Sequence, residues 1–344
     1  MGDIPLMRAG FALMAVIAAV GGLSMVVLPD EHRGGKDHDK DKDRDRAEAP
    51  APAVQPGTPL AAAQPAMGDS ARAFGCAPDG ASVSLPETVH ESSGLALAAG
   101  GDAIWTHNDS GRPLLHLVGM DGRDRGQVTV TGVDPRSRLD WEDVAAAPCP
   151  GGGRCLYVGD IGDNAAARPN VTIYRVPEPA PGDAQTRPAE ALTAVYPDGP
   201  QDAEALFVLP DGGIFIVSKG ETGGIAVYRM PRTARPGTPA RLERMAVLAP
   251  GKVERPQRIT GAAASPDGQW LALRTLRQVS FYRTGGLASG QLGQPLTYDL
   301  TGLNEPQGEA VEFGPDGTVF LSSEGGSKKN PATLSRLACV LPSS

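Results

Sequence analysis

The sequence predicts an all-β fold, a β-propeller of five blades with four antiparallel strands each, and three observations carry the prediction. One strand–turn–strand layout recurs five times at starts about 50–60 residues apart, more regular than a β-sandwich would require. Gly (44) and Pro (32) make up about a fifth of the 344 residues, which favours many turns over a helical bundle. Hydrophobic residues reach 40%, enough for a core.

The first strands are read at Ser93–Leu97, Trp141–Ala145, Ala203–Phe207, Thr260–Ala264 and Gly308–Glu312. Each is a short apolar run entered through a polar or glycine position. Pro-Asp-Gly turns follow three of them, at Pro210–Gly212, Pro266–Gly268 and Pro315–Gly317. Asp-Gly between apolar runs signals a hairpin, because Gly tolerates positive φ. Gly101-Asp102 and the Cys149–Cys155 loop stand in the same place in the first two units. Second strands are expected at Ala103–Thr106, Leu156–Gly159, Ile214–Ser218, Trp270–Leu273 and Val319–Ser323. Third strands end on Tyr174-Arg175, Tyr228-Arg229, Tyr282-Arg283 and Ser335-Arg336. Fourth strands fit Gln127–Thr131, Leu192–Tyr196, Leu242–Leu248 and Pro295–Leu300. The chain ends before the fifth unit has a fourth strand, so Phe74-Gly75-Cys76 is expected to supply it and remove an open edge. A six-bladed ring would need a blade hidden in 178–200 or 231–257.

Ahead of this domain, Phe11–Leu28 is an uncharged run of 18 residues, long enough for a membrane span and without an A-x-A cleavage site behind it. Residues 1–29 are therefore read as a signal anchor, with a cleaved signal as the alternative. Residues 30–68 read as a tether, first a mixed charge run and then Ala, Pro and Gln, which cannot bury a core. The propeller domain is 69–344.

The four cysteines are even in number and placed in pairs, Cys76 with Cys339 at the domain ends and Cys149 with Cys155 around one turn. Two disulfides and an oxidising compartment are expected, against four buried thiols as the alternative. The domain is accordingly expected on the extracytoplasmic side, although six Lys and Arg after the apolar run would favour the opposite orientation. A formal net charge of −8 and 5% aromatics exclude a basic nucleic-acid binder and a base-stacking platform.

In a propeller blade the start of the first strand and the end of the second lie on one face, around the central channel. Ionisable and polar residues collect there in all five units: His90, Glu91, His107, Asn108, Asp109, Glu142, Asp160, Asp163, Asn164, Glu204, Lys219, Arg274, Glu309 and Glu324. Crowded carboxylates are costly unless cations or shared protons compensate. One compensation is internal, with Lys219 and Arg274 pairing Glu204, Glu309 or Glu324. The other is a hard cation such as Ca²⁺ held by Asp109, Glu142, Asp160, Asp163 and Asn164, for which an Asx-stabilised turn at Asp160–Asn164 is the structural alternative. Glu142, Asp160 and His107 are the candidate catalytic bases. No G-x-S-x-G elbow, phosphate-binding Lys loop, H-E-x-x-H or dinucleotide fingerprint is present.

The turns Ser265–Gly268 and Gly314–Gly317 resemble those of bacterial extracytoplasmic propellers of the NHL, TolB and SMP-30/gluconolactonase types, and the acidic strand entries are similar in style to phytase-like propellers. The resemblance covers about 90–339 and specifies architecture. It implies a central divalent cation, for which Glu91, Asn108 and Asp109 stand nearest the family pattern. The functional expectation is a membrane-tethered, monomeric propeller binding a small molecule or an envelope protein at an acidic rim, with a divalent cation. A metal-dependent hydrolase of phosphoesterase or lactonase type at the same rim is the first alternative. A scaffold for envelope proteins is the second.

Overall fold

The computed structural model describes residues 73–134, 138–327 and 330–343. They form five antiparallel sheets, each begun by a strand at the central axis. Blade 1 comprises Ser92–Leu97, Ala103–Asn108, Leu114–Gly119 and Asp124–Thr129. Blade 2 comprises Trp141–Pro148, Arg154–Asp160, Val171–Pro177 and Glu190–Val195, with Ala240–Arg241 added in parallel at its outer edge. Blade 3 comprises Ala203–Val208, Ile214–Ser218, Ile225–Arg229 and Glu243–Ala249. Blade 4 comprises Ile259–Ala264, Trp270–Thr275, Gln278–Arg283 and Leu296–Asp299. Glu190–Val195 and Glu243–Ala249 complete blades 2 and 3, so the two intervals in which a sixth blade was sought are occupied.

Blade 5 takes Gln307–Phe313, Thr318–Glu324 and Thr333–Val340 from the chain end and Gly75–Pro78 from its beginning. Cys76 lies opposite Cys339 in that pairing and is bonded to it, and Cys149 is bonded to Cys155. Ring closure therefore rests on both a strand ladder and a covalent bond. The expected apolar anchor and the tether lie outside the described residues, among which no helix is long and apolar enough to cross a membrane.

The core is divided into five clusters, one at each blade interface. Trp105 and Leu115 of blade 1 meet Trp141 and Leu156 of blade 2. Ile173 and Tyr157 meet Leu206 and Ile216 across the next interface, and Phe207 and Phe215 meet Leu271 and Leu273 across the third. Phe281 then meets Phe313 and Leu321, and Phe320 and Leu334 close the ring against Ile104 and Val118. Both faces of every sheet are thus covered. That is why the inner strands read as continuous apolar runs, as in Ile214–Ser218, and not as an apolar–polar alternation.

The turns far from the site follow from local chemistry. Asp211 Oδ1 accepts a bond from Gly213 N at 2.9 Å, and Asp267 Oδ1 accepts one from Gln269 N at 3.0 Å. Gly212, Gly268 and Gly317 adopt φ of 82°, 68° and 80°, which a residue without a Cβ reaches freely and a side chain would strain.

Candidate functional site: an axial cavity built by five bulges

Each first strand carries a register shift against its second strand, always near its start. The shifts fall between Ser92 and Leu95, Trp141 and Asp143, Ala203 and Ala205, Ile259 and Gly261, and Gly308 and Val311. A bulge leaves a residue unpaired and re-aims its side chain. Within these shifts lie Ser93, Glu142, Glu204, Thr260 and Glu309, one from each blade, and all five line a single cavity of about 220 Å³. The wall is completed by Asp109, Asp140, Asn164, Lys219, Gln307, Glu324, Leu276, Arg255 and Arg258.

The three bulge carboxyls are buried, at 6, 8 and 5% exposure for Glu142, Glu204 and Glu309. Lys219 bonds Glu204 and lies 3.6 Å from Asp202 and 3.4 Å from Glu221. Burial pushes Glu204 up to about 7, against the downward pull of Lys219. Burial acts to lower Lys219, but Glu204 and Asp202 outweigh it and hold the ammonium above its usual range. Glu142 is raised well above the ordinary carboxyl range by burial, then by the charges of Glu204 and Asp140. Glu309 is raised likewise by burial, then by Glu204 and Glu324. Gln307 donates to both Glu309, at 2.7 Å, and Glu324, at 3.0 Å.

Below the cavity, Asp143 stands on the axis, fully buried. Its Oδ1 accepts from Val144 N at 2.9 Å, and its Oδ2 from Leu206 N at 2.8 Å and Ala262 N at 3.2 Å. One carboxylate therefore ties the inner strands of blades 2, 3 and 4.

The residues expected on the rim divide into two groups. Glu142, Glu204, Lys219, Glu309, Glu324, Asp109 and Asn164 line the cavity, and Asn164 Oδ1 accepts from Lys219 at 3.4 Å. The others do not reach it, and for each there is a physical reason. His107 is fully buried, edge-on to Trp141 at 5.7 Å, with Nδ1 3.1 Å from Asn108 O, which keeps it off the cavity wall, and burial lowers it to about 4. Asp160 Oδ1 is engaged by Arg168 at 2.9 Å and by Asp140 N at 3.1 Å. Asp163 Oδ2 accepts from Arg168 N at 2.7 Å, and Asp163 O accepts from Ala166 N at 2.7 Å, so the carboxylate closes its own loop and turns away from the cavity. Arg274 is 0% exposed, bonds the carbonyls of Ala310 and Ser322 at 2.7 and 2.8 Å, and pairs with the buried Glu305 rather than with a rim glutamate.

Glu91 accepts from Ser110 at 3.1 Å, and its backbone nitrogen donates to Asn108 Oδ1 at 3.0 Å. Asn108 in turn donates to Thr88 O at 2.9 Å. His90 is exposed and borders a separate hollow with Leu85, Pro86 and Ala332. Blade 1 thus presents Ser93 to the axis where Glu91 was expected.

The five-residue cation set is not brought together. Among the described residues no three His, Cys, Asp or Glu side chains are grouped as a metal ion would need. Asp160 and Asp163 are committed to Arg168, and Lys219 already supplies a cation beside Glu204. Of the five residues named for Ca²⁺, Asp109, Glu142 and Asn164 line the cavity, and Asp160 and Asp163 do not.

Sequence reasoning missed Arg255 and Arg258 as wall residues. They lie in the connection from blade 3 to blade 4, outside the repeated layout, and Arg255 donates to Gln307 Oε1 at 3.2 Å. The available signal was topological, since such connections cross the same face as the strand entries.

No family model matches the chain, and no curated protein matches it. Among solved structures, it is similar to a PQQ-bound aldose sugar dehydrogenase from Streptomyces coelicolor, with 12% identity, 79% of this chain and 99% of that chain covered, and a TM-score of 0.48. It is similar to a gluconolactonase from Xanthomonas campestris at 13% identity, 78% and 99% coverage and a TM-score of 0.42. A streptogramin B lyase stands at 11% identity, 78% and 98% coverage and a TM-score of 0.39. The fold and the cavity define the class on their own: a five-bladed β-propeller with a carboxyl-rich axial cavity.

Proposed function

We propose that the protein binds one small polar molecule in the axial cavity. The observation that carries this reading is the convergence of five bulge residues, one from each blade, on a space of about 220 Å³. A propeller that served only as a scaffold would gain nothing from burying three carboxyls there, because buried ionisable groups cost free energy unless something compensates them. The cavity has metabolite dimensions, so a small molecule is favoured over an envelope protein as its occupant. The test is a melting-temperature screen with polyols, lactones, amines and small carboxylic acids, repeated on Glu204→Gln and Glu309→Gln. A ligand that binds only the folded state raises the melting temperature. The reading expects a shift that both substitutions reduce. It fails if no compound shifts the transition, or if the shifts survive both changes.

A hydrolase acting on an ester or lactone is the second reading, favoured by Glu204 at about 7 beside Lys219. A general acid or base works best with a pKa near the working pH. Here Glu204 would hold or deliver the proton and Lys219 would keep its carboxyl oriented, with no step through a metal. Hydrolysis that falls at least about 100-fold in Glu204→Gln supports this reading, and unchanged hydrolysis removes it.

We further place the domain outside the cytoplasm, as a monomer tethered through residues 11–28. Supporting this are the two disulfides, which use all four cysteines of the chain. Thiol labelling of intact cells tests the location, the mass of the purified domain in solution tests the monomer, and fractionation into membrane and soluble parts tests the tether.

A further inference from the structure

The two hydroxyls of the cavity have already committed their protons. Ser93 Oγ donates to Glu142 O at 2.8 Å, and Thr260 Oγ1 donates to Glu309 O at 2.8 Å. A hydroxyl has a single proton, so toward the cavity both oxygens can only accept. The 3.5 Å contact between Ser93 Oγ and Glu142 Oε2 therefore takes its proton from the carboxyl.

The surroundings of Glu142 keep a proton on it. It is 6% exposed, and no cationic side chain or backbone N–H among the described residues bonds it. The groups facing it are Ser93 from blade 1, Asp140 at the entry of its own strand, and Asp202, Glu204 and Lys219 at blade 3. Three of these are acids, and Lys219 is bonded to Glu204. An ionised carboxyl there would be buried and unbonded beside like charges, so the neutral form is lower in free energy. Burial, and after it the charges of Glu204 and Asp140, raise its hold on the proton accordingly.

A neutral carboxyl is an O–H donor beside a carbonyl acceptor. The same wall shows what satisfies such a group. Gln307 lays its amide on Glu309, with Nε2 donating to Oε1 at 2.7 Å. Glu142 lines the same cavity, and among the described residues no side-chain amide bonds it.

Building on the small-molecule reading above, we infer that the ligand presents an uncharged amide to Glu142, its carbonyl oxygen accepting from the Glu142 O–H and its N–H donating to the other carboxyl oxygen or to Ser93 Oγ. A primary amide or a small lactam carries both groups on one edge, and a five-membered lactam fits a space of about 220 Å³. An ester or lactone supplies the acceptor alone. A protonated amine brings only donors, and a carboxylate sets its charge against those of Asp140 and Glu204. An amide leaves the charges of the wall unchanged.

The test is calorimetric titration of the full domain at pH 7 with four probes of similar size: 2-pyrrolidinone, γ-butyrolactone, pyrrolidine and 4-hydroxybutanoate. 2-Pyrrolidinone is expected to bind at least about tenfold tighter than each of the others. Glu142→Leu should weaken that binding about tenfold or more, and Glu142→Gln, which keeps a neutral donor beside a carbonyl, should weaken it less. The proton has a readout that uses no ligand and does not depend on Glu142→Leu folding. At pH 7, where an ordinary glutamate is ionised, the infrared band of a neutral carboxyl should be stronger in wild type than in Glu142→Gln. Equal spectra overturn the inference. So does tighter binding of pyrrolidine or 4-hydroxybutanoate than of the lactam, or a loss in Glu142→Gln as large as in Glu142→Leu. Lactone binding as tight as lactam binding overturns the amide and leaves the small-molecule reading intact. Failure of all four probes also overturns the inference, and failure of the wider screen as well removes the small-molecule reading.

Discussion

Asp143 Oδ2 accepts a hydrogen bond from the backbone nitrogen of Ala262 at 3.2 Å, although the two residues are 119 positions apart and belong to blades 2 and 4. The same oxygen accepts from Leu206 N at 2.8 Å. A single carboxylate thus fixes three inner strands around the axis, directly beneath the bulges that open the cavity. Asp143→Ala would leave those backbone N–H groups buried and unpaired. The expected loss is about 3 kcal/mol or more, read from the urea midpoint. Asp143→Asn should lose less, since one acceptor oxygen survives. Equal stability of wild type and Asp143→Ala would show that the axis is held elsewhere.

The covalent latch gives a second prediction. Cys76–Cys339 spans 263 residues and Cys149–Cys155 spans 6. In the chain-entropy account the first constrains the unfolded chain far more, by about 5 kcal/mol against about 2. Removing Cys76–Cys339 by paired serine substitutions should therefore lower the denaturation midpoint about twice as far as removing the other bridge. Equal effects would argue that Gly75–Pro78 pairing alone closes the ring.

Stability should fall above neutral pH. Burial pushes Glu204 to about 7 and Glu312 to about 8, both above the ordinary carboxyl value near 4.5. Groups raised in the folded state stabilise it fully below their unfolded pKa and lose that contribution as pH climbs through the folded value. His107 runs the other way. Its folded value near 4 adds stability as pH rises from about 4 to 6.5 and nothing further above that. The two trends oppose each other below pH 6.5, and only the carboxyl loss remains above it. The melting temperature should drop by about 5 °C between pH 6.5 and 8. Glu312→Gln should make that decline shallower, with the other raised carboxyls keeping the rest of it, and a flat wild-type profile would refute it.

Gly162 offers a probe of the cavity that removes none of its ionisable groups. A Cβ there would sit 2.2 Å from Glu142 Oε1 and 2.6 Å from Asp140 Cγ. Gly162→Ala must displace both carboxyls at an overpacking cost of about 1–3 kcal/mol. Loss of ligand-induced melting shifts in a folded Gly162→Ala protein is expected. Retained shifts would mean that Glu142 is not part of the binding surface.

The strand layout was legible because its signals are local. Asp-Gly turns, short apolar runs and cysteine positions are written in neighbouring residues, and all five first strands fall where they were read. The third strand of blade 1, Leu114–Gly119, lacks the Tyr-Arg ending and left no such mark. The site was less legible. Glu142 and Asp160 look alike in the sequence, yet one opens onto the cavity and the other is held by Arg168 at 2.9 Å. Arg274 reads as a rim cation until Glu305, 31 residues away, is seen to bury with it.

By itself, then, the sequence determined the repeated strand layout and where its turns fall, and it favoured five modules, closure of the ring by its two ends and two disulfides over their alternatives. Only the tertiary structure decided which polar side chains share the axis. The reason is the period of two along a strand: one extra residue in a bulge moves a side chain from one side to the other, and no local pattern announces where that residue falls.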